Sequence, residues 1–136
     1  GQNVYVVGKG RTGNKGFAPD NQNWALRLRE NDGAACVSFL FRNEHNRRAP
    51  KEAVEKDWHR WTSKTGFAPN SGWHHVAVTY TFGKSASIKG YIDGTEVKGD
   101  WDMGGKSEDG PVVDDDDVWI GSSMGGSAGN SFNGLI

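Results

Sequence analysis

The sequence predicts an all-β domain of short strands joined by tight turns, on three observations. Val76, Val78 and Tyr80 alternate with His75, Ala77 and Thr79, the period of two that gives a strand one buried and one wetter face. Asp-Gly pairs at Asp32-Gly33 and Asp93-Gly94 separate such runs, and both residue types tolerate the positive φ of a two-residue hairpin turn. The 136 residues include 20 glycines, clustered between apolar runs, as suits many short strands and sharp connections.

Taken in order, strands are predicted over residues 4–9, 23–30, 35–42, 57–63, 73–80, 87–92, 95–98, 117–122 and 132–136. In the first hairpin Trp24, Leu26 and Leu28 alternate with Ala25, Arg27 and Arg29. After the Asp32-Gly33 turn, Val37, Phe39 and Phe41 form the matching inward series. The run from Phe82 to Ser85 supplies turn chemistry before the return strand. Residues 50–56 read as one or two helical turns, with Pro50 as the first helical residue. Gly-Phe-Ala-Pro occurs at 16–19 and again at 66–69, which is reused loop chemistry rather than a structural repeat.

Length and charge bound the function. A chain of 136 residues is of single-domain size and buries about two-thirds of its unfolded surface. The formal charge of −1 gives no argument for nucleic acid. No apolar run approaches membrane-spanning length, so membrane insertion is not expected. The one cysteine, Cys36, excludes an intrachain disulfide or a multi-cysteine metal cluster. Its strand context reads as a packed small hydrophobe.

The motif Trp73-His74-His75-Val76-Ala77-Val78-Thr79-Tyr80 is followed by Tyr91-Ile92-Asp93-Gly94, Val118-Trp119-Ile120-Gly121 and Phe132-Asn133-Gly134-Leu135-Ile136. In order and spacing these four pieces resemble the laminin G-like, concanavalin A-like jelly-roll domain, strongly over the second half of the chain and loosely before it. The resemblance implies a sandwich of two antiparallel sheets, with residues 1–136 as one domain of an extracellular or cell-surface protein. Relatives usually begin with an earlier strand or two and continue into one more strand after the segment matching 132–136. The Gly-Gln start and the lack of those strands suggest a piece of a larger protein, with an exposed sheet edge unless another part covers it.

No nucleophile elbow, phosphate-cradling loop in a strand-to-helix context or His-Glu-x-x-His occurs. Catalytic jelly-roll glucanases carry a Glu-x-Asp-x-x-Glu strand that places carboxylates on one face for glycoside hydrolysis. Here Glu30, Glu44, Glu52, Glu55, Glu96 and Glu108 are scattered, so no catalytic residue and no enzymatic activity are expected. Asp114, Asp115, Asp116 and Asp117 form the candidate metal site, because hard carboxylate oxygens on a loop suit Ca²⁺. The competing reading is a solvated turn.

Six tryptophans invite a sugar-binding reading, since an indole face packs on a pyranose. Trp24, Trp73 and Trp119 are assigned to the fold. Trp58, Trp61 and Trp101 are the ligand candidates, with Trp58 and Trp61 sent to opposite faces by the strand period. Asp100, beside Trp101 in an expected loop, would accept sugar hydroxyls, and Arg47 and Arg48 would donate to acidic sugars. His75 matches the family's recurring histidine and reads as a hydrogen-bonded structural residue. The function expected is non-catalytic recognition, of carbohydrate through loop aromatics with calcium organising a loop. The alternative is a structural or protein-interaction domain docking onto a neighbouring domain or subunit.

Overall fold

The computed structural model describes residues 3–11, 22–43, 57–122 and 128–136. Arg47, Arg48 and the helical turn expected at 50–56 lie outside them. The described residues build nine strands: β1 (Asn3–Gly10), β2 (Gln22–Asn31), β3 (Ala34–Arg42), β4 (Trp58–Phe67), β5 (Val76–Thr79), β6 (Lys89–Ile92), β7 (Thr95–Val97), β8 (Gly99–Met103) and β9 (Val118–Ile120). Two antiparallel sheets result, one of six strands in the order β8-β4-β3-β2-β1-β9 and one of three in the order β5-β6-β7. This is the concanavalin A-like jelly-roll sandwich the sequence predicts, with one sheet twice as wide as the other.

The first hairpin pairs Trp24 with Phe41, Leu26 with Phe39 and Leu28 with Val37, the inward series read from the alternation. Asp32 and Gly33 turn it at φ 48° and 78°, and Asp93 and Gly94 turn the β6–β7 hairpin at 51° and 78°, the two successive positive φ values of a type I′ turn. Register carries the inner face across the large sheet, from Ile120 through Val7, Leu26 and Phe39 to Trp61 and Trp101.

Trp61 knits the sheets together. Its indole lies against Gly90 of β6 and Gly99 of β8 so closely that a Cβ on either glycine would overlap the ring. Beside it Phe39, Phe41, Tyr80, Phe82 and Trp101 form an aromatic cluster with centroids 4.9–6.3 Å apart, within the range of favourable edge and offset contacts.

The opposite face of the large sheet is buried as well. Tyr5, Ala25 and Leu40 form a cluster against which Trp58 packs. Arg27 is buried beside them, with its guanidinium 5.6 Å from the centre of the Tyr5 ring. Burial holds its pKa down to about 10, well below the ordinary guanidinium value, because a low-dielectric setting penalises the cation.

Three expectations are corrected. Residues 99–103, expected as a loop, form β8, because Trp101 pairs with Trp61 across the sheet and packs on Tyr80. The strand expected over 132–136 does not form: only Ser131 makes a bridge, to Tyr5. Trp73, expected to head a strand and to pack in the core or at a sheet end, precedes β5 and is 75 % exposed.

Candidate functional site

The unequal sheets create a concave surface. Both β5 and β6 contact β3, and β7 contacts β4, so the small sheet covers one half of the large one. Past the edge of β5 the inner face continues over β2, β1 and β9 with no strand above it among the described residues. A groove of about 300 Å³ opens there, lined by Val7, Trp24, Leu26, Phe39, Val78, Tyr80 and Phe82. On β9, Val118 and Ile120 extend the same face and are 57 % and 70 % exposed. Among the described residues no charged side chain lines this groove. Burial, then the nearby Glu108 carboxylate, pushes the Tyr80 phenol up.

The sequence-selected aromatics stand elsewhere. Trp61 is 3 % exposed, and both of its faces are taken by the core, so it offers no ring to a ligand. Trp101 is half-buried, and its indole N–H donates to the Ser85 carbonyl at 3.3 Å. Trp58 does lie on the opposite face from Trp61, as the strand period predicts; there Arg11 covers its ring at 5.3 Å. Asp100 is exposed and pairs with Lys64 at 2.9 Å. The structure therefore does not gather Trp58, Trp61, Trp101 and Asp100 into one site.

The acidic run is tied to the rim of the large sheet. Asp114 accepts the Asn23 amide at 3.0 Å on its carboxylate and the Lys9 ammonium at 2.6 Å on its carbonyl. Asp116 donates its backbone N–H to the Asp114 carboxylate, and the Asp117 carbonyl accepts from Gly10. Among the described residues no three Asp, Glu, His or Cys side chains converge as an ion site. In this arrangement the Asp114 carboxylate braces the loop and the Lys9 ammonium sits on the Asp114 carbonyl.

A polar corner precedes β5. His74 stacks on Phe67 with centroids 4.1 Å apart and bonds Ser71 and Asp93 at 2.8 Å each. Asp93 also accepts the His75 backbone N–H. The hydrogen bond from His74, then that from the His75 amide, holds the Asp93 carboxyl below its ordinary value. The hydrogen-bonded imidazole is thus His74, and the His75 side chain is exposed. A second imidazole, His59, is buried between Asn43 and the Gly105 carbonyl, 3.0 Å from each.

Sequence reasoning missed the groove because its lining looks like ordinary core. What distinguishes it is which strands lie above, and no local pattern records that. The exposed apolar pair Val118 and Ile120, flanking Trp119, was the available signal.

No helix among the described residues is long and apolar enough to cross a membrane. Comparison with curated proteins and with solved structures found no match. A laminin G family model, described as the concanavalin A-like lectin/glucanases superfamily, matches residues 4–136. With nearly the whole chain covered and both sheets in place, the protein belongs to that superfamily.

Proposed function

We propose that this domain is a non-catalytic recognition module of an extracellular or cell-surface protein, and that it docks onto another polypeptide. The superfamily supports a carbohydrate- or protein-binding module. The apolar face over β2, β1 and β9, uncovered among the described residues, favours the protein reading. Uncharged aliphatic and aromatic walls reward the burial of apolar side chains at roughly 25 cal/mol per Å² and offer few partners to sugar hydroxyls. Contiguous exposed apolar surface of this kind marks interaction sites.

One observation favours carbohydrate. Trp73 presents an open indole beside the His74–Asp93 corner, a platform of the kind pyranoses stack on. Calcium would enter that reading only through ligands additional to the Asp114–Asp117 loop.

A single panel separates the two. The purified chain is screened against a displayed peptide library and a glycan array, with calcium and with chelator, alongside Ile120→Glu and Trp73→Ala. The expected result is peptide binding that Ile120→Glu abolishes and Trp73→Ala leaves intact. Glycan binding lost in Trp73→Ala, with no selected peptides, would overturn the protein reading, and chelator sensitivity would bring calcium into the function.

A further inference from the structure

The polar corner before β5 holds a serine, a histidine and an aspartate in series. Ser71 Oγ lies 2.8 Å from His74 Nε2, and His74 Nδ1 lies 2.8 Å from Asp93 Oδ2. An ionised carboxylate only accepts, so the proton of a neutral imidazole sits on Nδ1, and Nε2 is left as a base facing the hydroxyl. The other oxygen of Asp93 accepts the His75 N–H at 2.8 Å, and the imidazole is stacked on Phe67, so carboxylate and ring are both held in orientation. The Ser71 hydroxyl has a second acceptor in the Ala68 carbonyl. Turning the O–H from that carbonyl to Nε2 gives the reactive arrangement without moving a heavy atom.

The surroundings admit a reactant. Ser71 is exposed, between Asn70 and Gly72 in left-handed backbone at φ 64° and 107°. Nothing comes within 4 Å of where a Gly72 Cβ would stand, so the space beside the serine is open. The Gly72 N–H, next after the serine, has no hydrogen-bond partner among the described residues. Trp73 follows with its indole exposed, a flat apolar surface for an aryl or acyl group.

From this geometry we infer that Ser71 is an acylation site: it takes one acyl group from an activated donor, a thioester or aryl ester, with His74 as its base and Asp93 positioning His74. A nucleophile within hydrogen-bond reach of a base, itself oriented by a third group, is the arrangement such chemistry requires. The inference goes beyond the recognition reading and does not depend on it, because one acyl group is taken up per chain. In the step, Ser71 Oγ gives its proton to His74 Nε2 and bonds to the donor's carbonyl carbon. The carbonyl π pair moves onto oxygen, with the adjacent Gly72 N–H as donor to it. That pair returns, the bond to the leaving group breaks with its electrons, and the proton passes from Nε2 to the departing thiolate or phenolate. The product is an unactivated alkyl ester. Its alkoxide leaves far less readily than a thiolate or phenolate, so the acyl group stays on Ser71.

The test mixes the 136-residue chain with p-nitrophenyl acetate, follows phenolate release and locates the acetyl groups by peptide mass spectrometry. One equivalent of fast release is expected, with Ser71 acetylated at least tenfold faster than any other serine. Ser71→Ala should abolish that fast phase. His74→Ala should slow it about a hundredfold, the lower end of general-base assistance, and added imidazole should restore part of the rate, which a merely structural role would not allow. Asp93→Asn should slow it at least tenfold, and the ring ¹⁵N resonances of His74 should lose the Nδ1–H tautomer seen in the parent. If His74→Ala fails to melt cooperatively, the mapped selectivity of the parent and its loss in Ser71→Ala decide the matter. Acetylation with no preference for Ser71, or a rate unchanged in a folded His74→Ala, would overturn the inference and leave the recognition reading in place. Release far beyond one equivalent that Ser71→Ala abolishes would overturn the stoichiometric step in favour of hydrolysis, and the non-catalytic reading with it.

Discussion

Trp61 shows how one side chain sets the architecture. Its ring fills the space that Gly90 and Gly99 leave open, so the glycines are required for close approach rather than for a turn. Trp61→Ala should destabilise the fold by roughly 3–5 kcal/mol, the range for a buried large aromatic, measured by denaturant unfolding. Arg27 is the opposite case. As a buried cation its charged form carries a cost in the folded state that is present in full below about pH 10 and eases only as pH rises from there toward the ordinary guanidinium value. Arg27→Met, which keeps volume and removes charge, is therefore expected to leave the melting temperature unchanged or raise it; a drop of several degrees would show that the cation is compensated. Asp93 has a folded pKa below its ordinary 3.8. The stabilisation it gives the His74 corner is therefore present above that ordinary value and lost as pH falls below it. The His75 amide resonance, followed through acidification, should report that loss, and Asp93→Asn should flatten the titration.

Among elements, those with strong local alternation were legible. β1, β2, β3 and the β6–β7 hairpin follow their apolar period and their Asp-Gly turns. Gly94 stands at φ 78° with open space around it, so Gly94→Ala should cost about 1 kcal/mol through backbone strain alone, read as a shift in melting temperature. β8 was not legible, because Gly99, Asp100 and Asp102 are poor strand formers. It exists because Trp101 must reach the aromatic cluster and Arg60 must meet Asp102, at 2.6 Å. Trp73 read as core or sheet-end packing because it leads a strand-like run. The chain enters β5 three residues later, and the Ser71–His74–Asp93 bonds with the His74–Phe67 stack fix that entry. The candidate site was the least legible part. Tryptophan content drew attention to Trp58, Trp61 and Trp101, whose rings the fold itself occupies, while the apolar residues that face open space have no polar neighbour to mark them.

Among the described residues the molecule is an uneven sandwich, six strands against three, and the proposed binding surface follows from that inequality. A sheet face is stable when another layer covers it. Among the described residues the covering layer stops at β5, leaving Val118 and Ile120 exposed and the groove beside them open. Apolar patches on a soluble domain are usually kept small, so Ile120→Glu should reduce self-association at high concentration, measured by light scattering, with a melting temperature within a degree or two of the parent. The most direct measurement is an NMR titration of the chain with a peptide selected from the displayed library, following the methyl resonances of Val7, Leu26, Val78 and Ile120. These methyls should shift together as the peptide binds, because they line or flank the groove. Binding that leaves them unmoved would contradict docking at this face.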